Sequence, residues 1–155
     1  MSQPSKPKRP NRHKARESAL EVLYAWHNSG QDGAMIPSML ADRLQERERA
    51  DQDSDYVREL VHGVTDDVAE IDAAISGAIR GRSLRSIAHV EHTVLRLAAW
   101  EMIHKLEIPY RVIINEALEL TRDYVGESPR AFINGVLDHL ARVLRPGEAN
   151  KTAQG

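Results

Sequence analysis

The apolar residues of this chain recur at helical spacing along almost its whole length, and no segment shows the strict alternation typical of a strand. The clearest case is the segment 87–105, where apolar side chains fall on nearly every side. Such a helix has to be enclosed by other helices, because each of its faces must be shielded from water. The pattern therefore predicts an all-α protein with this segment as its central helix.

The flanking segments bring the predicted total to about seven helices in two packed helical subdomains. We interpret 56–79 as two consecutive helices interrupted at Gly63, and we expect Gly135 to let two helices approach closely. Ser128 and Pro129 suit the N-cap and the first position of the last helix, and Pro146 should end it. The remaining helices are expected at about 12–28, 39–49 and 112–124, with the charged stretch 45–55 in solvent.

Length and composition predict one helical domain with two tails. Residues 1–11 form a Pro/Lys/Ser/Arg tail predicted to be flexible, 12–146 the domain, with halves at about 12–82 and 83–146, and 147–155 a polar C-terminal tail. The chain has no cysteine, which excludes disulfides and cysteine nucleophiles. It also has no secretory signal pattern and no apolar run of about 20 residues that could span a membrane. We expect a cytoplasmic protein with no membrane association.

Positive charge is concentrated at one end of the chain. The first sixteen residues carry six lysines and arginines and no acid. The whole chain has a formal charge of −2, so the rest carries −8 once these six positive charges are set aside. A basic segment attached to a helix can hold its charges against phosphates in a fixed register. The asymmetry indicates a polyanionic partner, although a solvated tail of no consequence would show the same composition.

Patterns typical of enzymes are weak in this sequence. No phosphate-binding glycine loop, nucleophile elbow or dinucleotide fingerprint occurs, so we predict neither catalysis nor a cofactor or metal. Two Glu-x-x-His pairs, at Glu59/His62 and Glu101/His104, match the motif that di-iron carboxylate bundles use. Four-residue patterns arise easily in a chain with 23 acids and 7 histidines. A di-iron bundle is therefore kept only as a remote alternative.

Spacing within the first helix adds an aromatic residue to the basic end. Arg16, Leu20 and Tyr24 lie at i, i+4 and i+8, so they should form one ridge while Trp26 faces inward. A guanidinium beside an exposed ring suits single-stranded RNA, whose bases stack on aromatic side chains while its phosphates meet cations. Charge and one aromatic do not decide between RNA, DNA and an acidic protein.

Four segments carry a family resemblance. They are 12–26 (RHKARESALEVLYAW), 94–101 (VLRLAAWE), 108–117 (IPYRVIINEA) and 132–138 (FINGVLD), and in this order they resemble the bacterial transcription antitermination factor NusB family from about residue 12 to residue 144. The resemblance implies an all-helical, non-enzymatic RNA-binding factor. Family members act with NusE, a small-subunit ribosomal protein, on the boxA element of nascent ribosomal RNA. With NusA and NusG they help RNA polymerase resist termination, and both monomers and homodimers occur.

The resemblance also implies which residues bind. It places the RNA contacts on the start of the first helix, on Tyr24 and on a turn near residue 130: Arg12, His13, Lys14, Arg16, Tyr24, Glu127, Ser128, Arg130 and Phe132. It places the NusE contact on one polar stripe of the central helix: His89, Glu91, His92 and Arg96. Two alternatives without a binding role stay open. The stripe could be only the solvated face of its helix, and Phe132 could pack in the core.

Two departures from the family pattern bear on the RNA contacts. His13 stands where arginine is frequent, and an ordinary imidazole is mostly neutral near neutral pH, so this residue should bind phosphate less well. Ser128 and Pro129 replace a common acidic residue followed by serine. A functional alternative remains a NusB-like module that assists an enzyme modifying ribosomal RNA.

Overall fold

A computed structural model describes residues 10–153 of the chain, with side chains placed for 10–150. Over this range the chain forms eight α-helices and no β-strand, which confirms the all-α prediction. The helices are α1 (Arg12–Asn28), α2 (Ile36–Leu44), α3 (Ser54–Asp66), α4 (Val68–Ala78), α5 (His89–His104), α6 (Tyr110–Tyr124), α7 (Arg130–Leu144) and α8 (Pro146–Ala153). None of the helices in the described part is long and apolar enough to cross a membrane.

Helix α5 is the centre of the fold, as the apolar pattern predicted. It packs against α1, α3, α4, α6 and α7, and its side chains at Val94, Leu95, Ala99 and Met102 are fully buried. Burial of such side chains contributes roughly 1.5–3 kcal/mol each. The central helix therefore holds together elements from both ends of the chain.

Helices α2 and α3 pack against α1, and α6 and α8 pack against α7. Helix α4 contacts α5 and α7, although it precedes residue 82 in the chain. The division of the domain at residue 82 stays a prediction. The basic tail predicted at 1–11 lies almost wholly outside the described residues, and Asn11 at its end caps α1 by accepting a hydrogen bond from the Lys14 N–H.

Gly63 does not interrupt a helix, so that prediction is wrong. Helix α3 continues through it to Asp66, and the chain turns at Asp67 before α4. A Cβ at position 63 would lie 2.3 Å from the indole ring of Trp100 on α5. The glycine is required because α3 and this tryptophan approach so closely. The close approach expected at Gly135 is absent, since a Cβ built there would have no heavy atom of another helix within 4 Å.

The boundaries near the C-terminus also differ from the predictions. Helix α7 begins at Arg130 with Pro129 at its N-cap, and Ser128 makes no capping bond. Helix α7 ends at Leu144, just before Pro146 as predicted, but Pro146 then begins α8, since proline suits the first turn of a helix. The preceding Arg145 is buried and donates to the carbonyls of Met102 and Ile108 at 2.8 Å each. The expected polar tail thus begins as an attached helix.

The charged stretch 45–55 is less solvated than expected. It contains a short 3-10 turn, Arg47–Arg49, and the side chain of Gln52 is buried. Gln52 accepts a hydrogen bond from Ser18 at 2.5 Å and donates to the Arg43 carbonyl at 2.9 Å. The buried Gln52 amide therefore holds the connection between α2 and α3 against α1.

Candidate nucleic-acid interface

The cations at the start of α1 are paired with carboxylates of the same chain. Lys14 Nζ lies 2.6 Å from Asp51, and Arg12 Nε lies 3.8 Å from Asp53. The Arg12 guanidinium also sits 4.3 Å from the centroid of the Tyr56 ring. The lysine side chain is 34% exposed and the arginine 42%, so both remain accessible to a ligand. Their charges, however, already have local partners.

His13 lies among three carboxylates. Its ring nitrogens are 2.7 Å from Glu116, 3.3 Å from Glu17 and 3.7 Å from Glu119. Burial lowers the pKa of His13, but the hydrogen bond to Glu116 and the three negative charges outweigh this effect and raise it. The expectation of an ordinary, mostly neutral imidazole is therefore wrong. The raised pKa favours the positively charged imidazole, and the three neighbouring carboxylates compensate that charge.

The donor atoms of His13, Glu116 and Glu119 lie within 4.8 Å of one another, a spacing that a metal ion could use. Among the described residues this is the one such group. Its short contacts are explained as hydrogen bonds and ion pairs between the imidazole and the carboxylates, which also raise the pKa of His13. We assign no metal to it.

Arg16 is buried in an ion pair that sequence reasoning missed. Its side chain is 5% exposed, and its Nε and Nη2 donate to the two carboxylate oxygens of Glu101 at 2.9 and 2.8 Å. Tyr56 donates its hydroxyl to the same carboxylate at 2.5 Å. Burial lowers the pKa of Arg16, but Glu101 outweighs that effect and raises it, so the guanidinium stays charged. The network joins α1, α3 and α5 and is buried between them.

The predicted exposed ridge on α1 is consequently wrong for two of its three members. Arg16 and Leu20 are buried, and only Tyr24, which is 37% exposed, reaches the surface. The sequence did carry a signal for this ion pair, namely the charged Glu101 inside an otherwise apolar helix. A buried carboxylate needs a buried cation on a neighbouring helix.

The two Glu-x-x-His pairs also belong to separate ion pairs. Glu59 pairs with Lys105, and His104 lies 3.0 Å from Asp67. Glu101 is buried and turned inward toward Arg16 of α1. In the described part of the chain, these residues do not converge on a common di-iron centre.

Tyr24 lines a groove of about 330 Å³ together with Leu20, Glu21, Val90 and Tyr124. Tyr124, at the end of α6, is also 37% exposed and donates its hydroxyl to Glu21 at 3.0 Å. Burial and the Glu21 charge raise the pKa of Tyr124, so its hydroxyl keeps its proton. Tyr124 is a second exposed aromatic of this groove, and no sequence pattern had indicated it.

The predicted contact turn follows Tyr124 directly. Gly126 adopts a positive φ of 123°, and Glu127, Ser128 and Arg130 are exposed. Phe132, one turn into α7, is half-buried against the core. The Arg82 guanidinium lies 4.4 Å from the centroid of the Phe132 ring and covers one of its faces. The fold therefore brings this turn close to the Tyr24 groove and leaves Phe132 with both a packing role and an accessible edge.

The stripe predicted to face a partner protein is largely internal. His92 and Arg96 are 5% and 3% exposed, and both bind Asp72 of α4. Arg96 contacts both Asp72 oxygens at 2.9 and 2.7 Å, and His92 Nε2 lies 2.9 Å from Oδ1. Burial alone would raise the pKa of Asp72, but these hydrogen bonds hold it far below its ordinary range. The interpretation of the whole stripe as a solvated face is wrong for these two residues.

Only the first turn of the stripe reaches solvent. His89 is exposed, Glu91 is half-buried, and the His89 ring stacks on that of His27 with centroids 4.0 Å apart. Burial lowers the pKa of His27 to about 4, and the nearby positive charge of Arg96 adds to the effect. His92 and Arg96 therefore position α5 against α4, while His89 and Glu91 can meet a partner.

Comparison with known proteins gives one consistent family. The family model described as the NusB family matches residues 13–142. The chain is 36% identical to the transcription antitermination protein NusB of Alcanivorax borkumensis over 151 aligned residues. These residues cover 97% of this chain and 97% of that one. It is 38% identical over 137 residues to the Escherichia coli protein of the same name, covering 88% of this chain and 96% of that one.

Solved structures agree with the sequence relatives. The fold matches Thermotoga maritima NusB with a TM-score of 0.77 at 25% identity, over 97% of this chain and 99% of that one. It also matches a chain in the crystal structure of antitermination factors NusB and NusE in complex with dsRNA, with a TM-score of 0.71 at 25% identity, over 84% of this chain and 96% of that one. The chain belongs to the NusB family.

Proposed function

We propose that this protein is a transcription antitermination factor. It binds boxA-type RNA of nascent ribosomal transcripts together with NusE and helps RNA polymerase, with NusA and NusG, to resist termination. The observation that carries the proposal is the likeness, over 84% of this chain, to a chain in a structure of NusB and NusE with RNA. The protein acts by binding, and its place of action is the bacterial cytoplasm, where transcripts are made.

The geometry supports an RNA surface formed by the Tyr24 groove and the turn that follows Tyr124. Two half-exposed aromatic rings offer stacking faces, and the exposed residues Glu127, Ser128 and Arg130 offer hydrogen bonds. Arg12 and Lys14 contribute partly exposed charge at the start of the same helix. Arg16 is left out of the contact set because its guanidinium is committed to Glu101.

The partner surface is proposed at the start of α5. His89 and Glu91 are its accessible members, whereas His92 and Arg96 fix the helix in place through Asp72. NusE bound there would complete the RNA site, because Val90 of the same turn lines the Tyr24 groove.

The test is a titration of a labelled boxA-type RNA against the full chain with and without NusE, with a scrambled RNA and an RNA duplex as competitors. We expect tighter binding of the boxA sequence than of the scrambled control, and a further increase in affinity when NusE is present. Equal affinity for both sequences in the presence of NusE would contradict the proposal.

A further inference from the structure

The most available positive charge of the described chain lies away from the basic end. We define the arginine surface as Arg80, Arg82, Arg85 and Arg130, the first three in the connection between α4 and α5 and the last at the start of α7. All four are exposed, and within residues 10–153 none has a carboxylate within ion-pair distance. Of the four, Arg82 alone makes a polar side-chain contact there, to the Ser86 carbonyl at 3.2 Å.

The fold places Arg80 and Arg82 beside the start of α7, which follows the proposed RNA turn, whereas Arg85 lines a separate groove with Asp72 and His89. Arg82 stacks over Phe132 at 4.4 Å, and this contact holds the connection against α7. Gly81, with a φ of 73°, turns the chain between Arg80 and Arg82. A groove of about 400 Å³ at this junction is lined by Arg80 and, from α7, by Phe132, Asp138, His139 and Arg142, and Asp138 there is paired with Arg142.

Arg82 has a structural contact, since it stacks on Phe132 and donates to the Ser86 carbonyl. No carboxylate in the described part of the chain pairs with any of the four arginines, and exposed like charges disfavour the folded state through mutual repulsion. A guanidinium presents a planar fork of donors that fits a phosphate group in a bidentate manner. Stacked guanidinium and phenyl planes also form a platform on which an unpaired base can stack. These chemical features fit an RNA strand better than an acidic peptide, because they combine charge with a flat stacking face.

We propose that Arg80, Arg82 and Arg85 of the arginine surface form a second RNA contact, which binds the phosphate backbone beyond the turn that contains Arg130. The proposal rests on the proposed RNA-binding function and extends the bound strand across the junction between α4 and α7. Arg80 and Arg85 bind phosphates, and Arg82 with Phe132 supports a base.

The experiment compares the salt dependence of boxA-type RNA binding, with NusE present, for the natural chain and for Arg80→Ala/Arg85→Ala. A phosphate contact to a single strand contributes about 0.7 to the slope of log affinity against log salt, so two lost contacts lower the slope by about 1.4. At about 0.1 M salt this corresponds to roughly 25-fold weaker binding. Arg80→Lys/Arg85→Lys keeps the charge and should restore most of the slope.

Arg47→Ala is the matched control. Arg47 is another exposed arginine without an ion pair in the described range, but Glu46 and Glu48 flank it, so its loss should leave affinity unchanged. If the natural chain binds boxA-type RNA and Arg80→Ala/Arg85→Ala keeps its affinity and slope, the second contact is refuted while the proposed function stands. If that variant loses NusE in the absence of RNA but keeps RNA affinity, the surface is a protein site and the inference fails. No binding by the natural chain would overturn both proposals.

Discussion

The start of α1 and the arginine surface are both basic, yet they differ in how their charges are used. At the start of α1, Arg12, His13, Lys14 and Arg16 each have a carboxylate of the same chain as a partner. On the arginine surface, the guanidinium groups have no such partner in the described residues. Local charge density in a sequence is therefore a poor measure of the charge that a ligand can reach, because the fold neutralises some of it and leaves the rest free.

The largest effect is expected from breaking the buried pair at the start of α1. Glu101→Gln removes the buried bidentate partner of Arg16 and leaves it only the partly exposed Glu116 at 3.6 Å, which should lower the free energy of unfolding by about 3–5 kcal/mol. Urea denaturation measures this loss. The double variant Arg16→Met/Glu101→Gln removes the buried charge and keeps an acceptor for Tyr56, so it should recover much of the stability.

The same comparison predicts a distinct outcome for Arg16 in RNA binding. Under conditions in which Arg16→Ala is still folded, its salt slope should equal that of the natural chain, because the side chain is buried beside Glu101. A lower slope in the folded variant would show that Arg16 contacts phosphate. The distinction between cations paired within the chain and cations free to bind RNA would then fail for the most deeply buried cation at the start of α1.

A smaller loss of RNA affinity, without loss of a charge, is expected at the Tyr24 groove. Tyr24→Ala should weaken RNA binding by about 1–3 kcal/mol if a base stacks on the ring. Because no charge is lost, the salt slope should stay unchanged. Tyr24→Phe keeps the stacking face and is the control. Equal affinity of a folded Tyr24→Ala variant would refute stacking and leave the contact purely electrostatic.

The two ends of α1 should respond to pH in opposite directions. His27 has its pKa lowered from an ordinary value of about 6.5 to about 4, so its neutral form stabilises the fold above about pH 6.5, and this stability is lost as the pH falls toward 4. Replacing His27 with Phe keeps a ring against His89 and removes the titration. The variant should therefore lose less Tm than the natural chain between about pH 7 and pH 5.

His13 supplies the opposite sign at the other end of the helix. Its pKa is raised, so its ion pairs stabilise the fold fully below the ordinary value and are lost as the pH rises through the raised one. His13→Gln should reduce Tm more at pH 5 than at pH 9. A uniform decrease across this range would mean that the carboxylates around His13 do not hold its proton.

Local patterns predicted the helices well and their partners poorly. The apolar periodicity of 87–105 identified the central helix, because enclosure on all sides leaves a direct mark in composition. The role of Gly63 depends on Trp100, which is distant in sequence, so a glycine inside a helical pattern was interpreted as a break. Contacts of this kind are decided by packing, which periodicity does not encode.

Charged residues show the same limit at the candidate site. Arg16 and Glu101 are 85 positions apart, and Arg96 and Asp72 are 24 apart, so neither pair is visible as a local motif. The family resemblance pointed to the surface around Tyr24 and residue 130, and this assignment stays a prediction. It did not separate the side chains that bind internally from those that remain free, since that separation depends on the neighbours of each side chain.

The most direct test of this account compares two double variants that remove the same net charge. Salt-dependent binding of boxA-type RNA, with NusE present, is measured for Arg80→Ala/Arg85→Ala and for Arg12→Ala/Lys14→Ala. We predict that the first lowers the slope by about 1.4 and that the second lowers it by much less, because its charges are already paired. An equal or larger loss for the second variant would contradict the account.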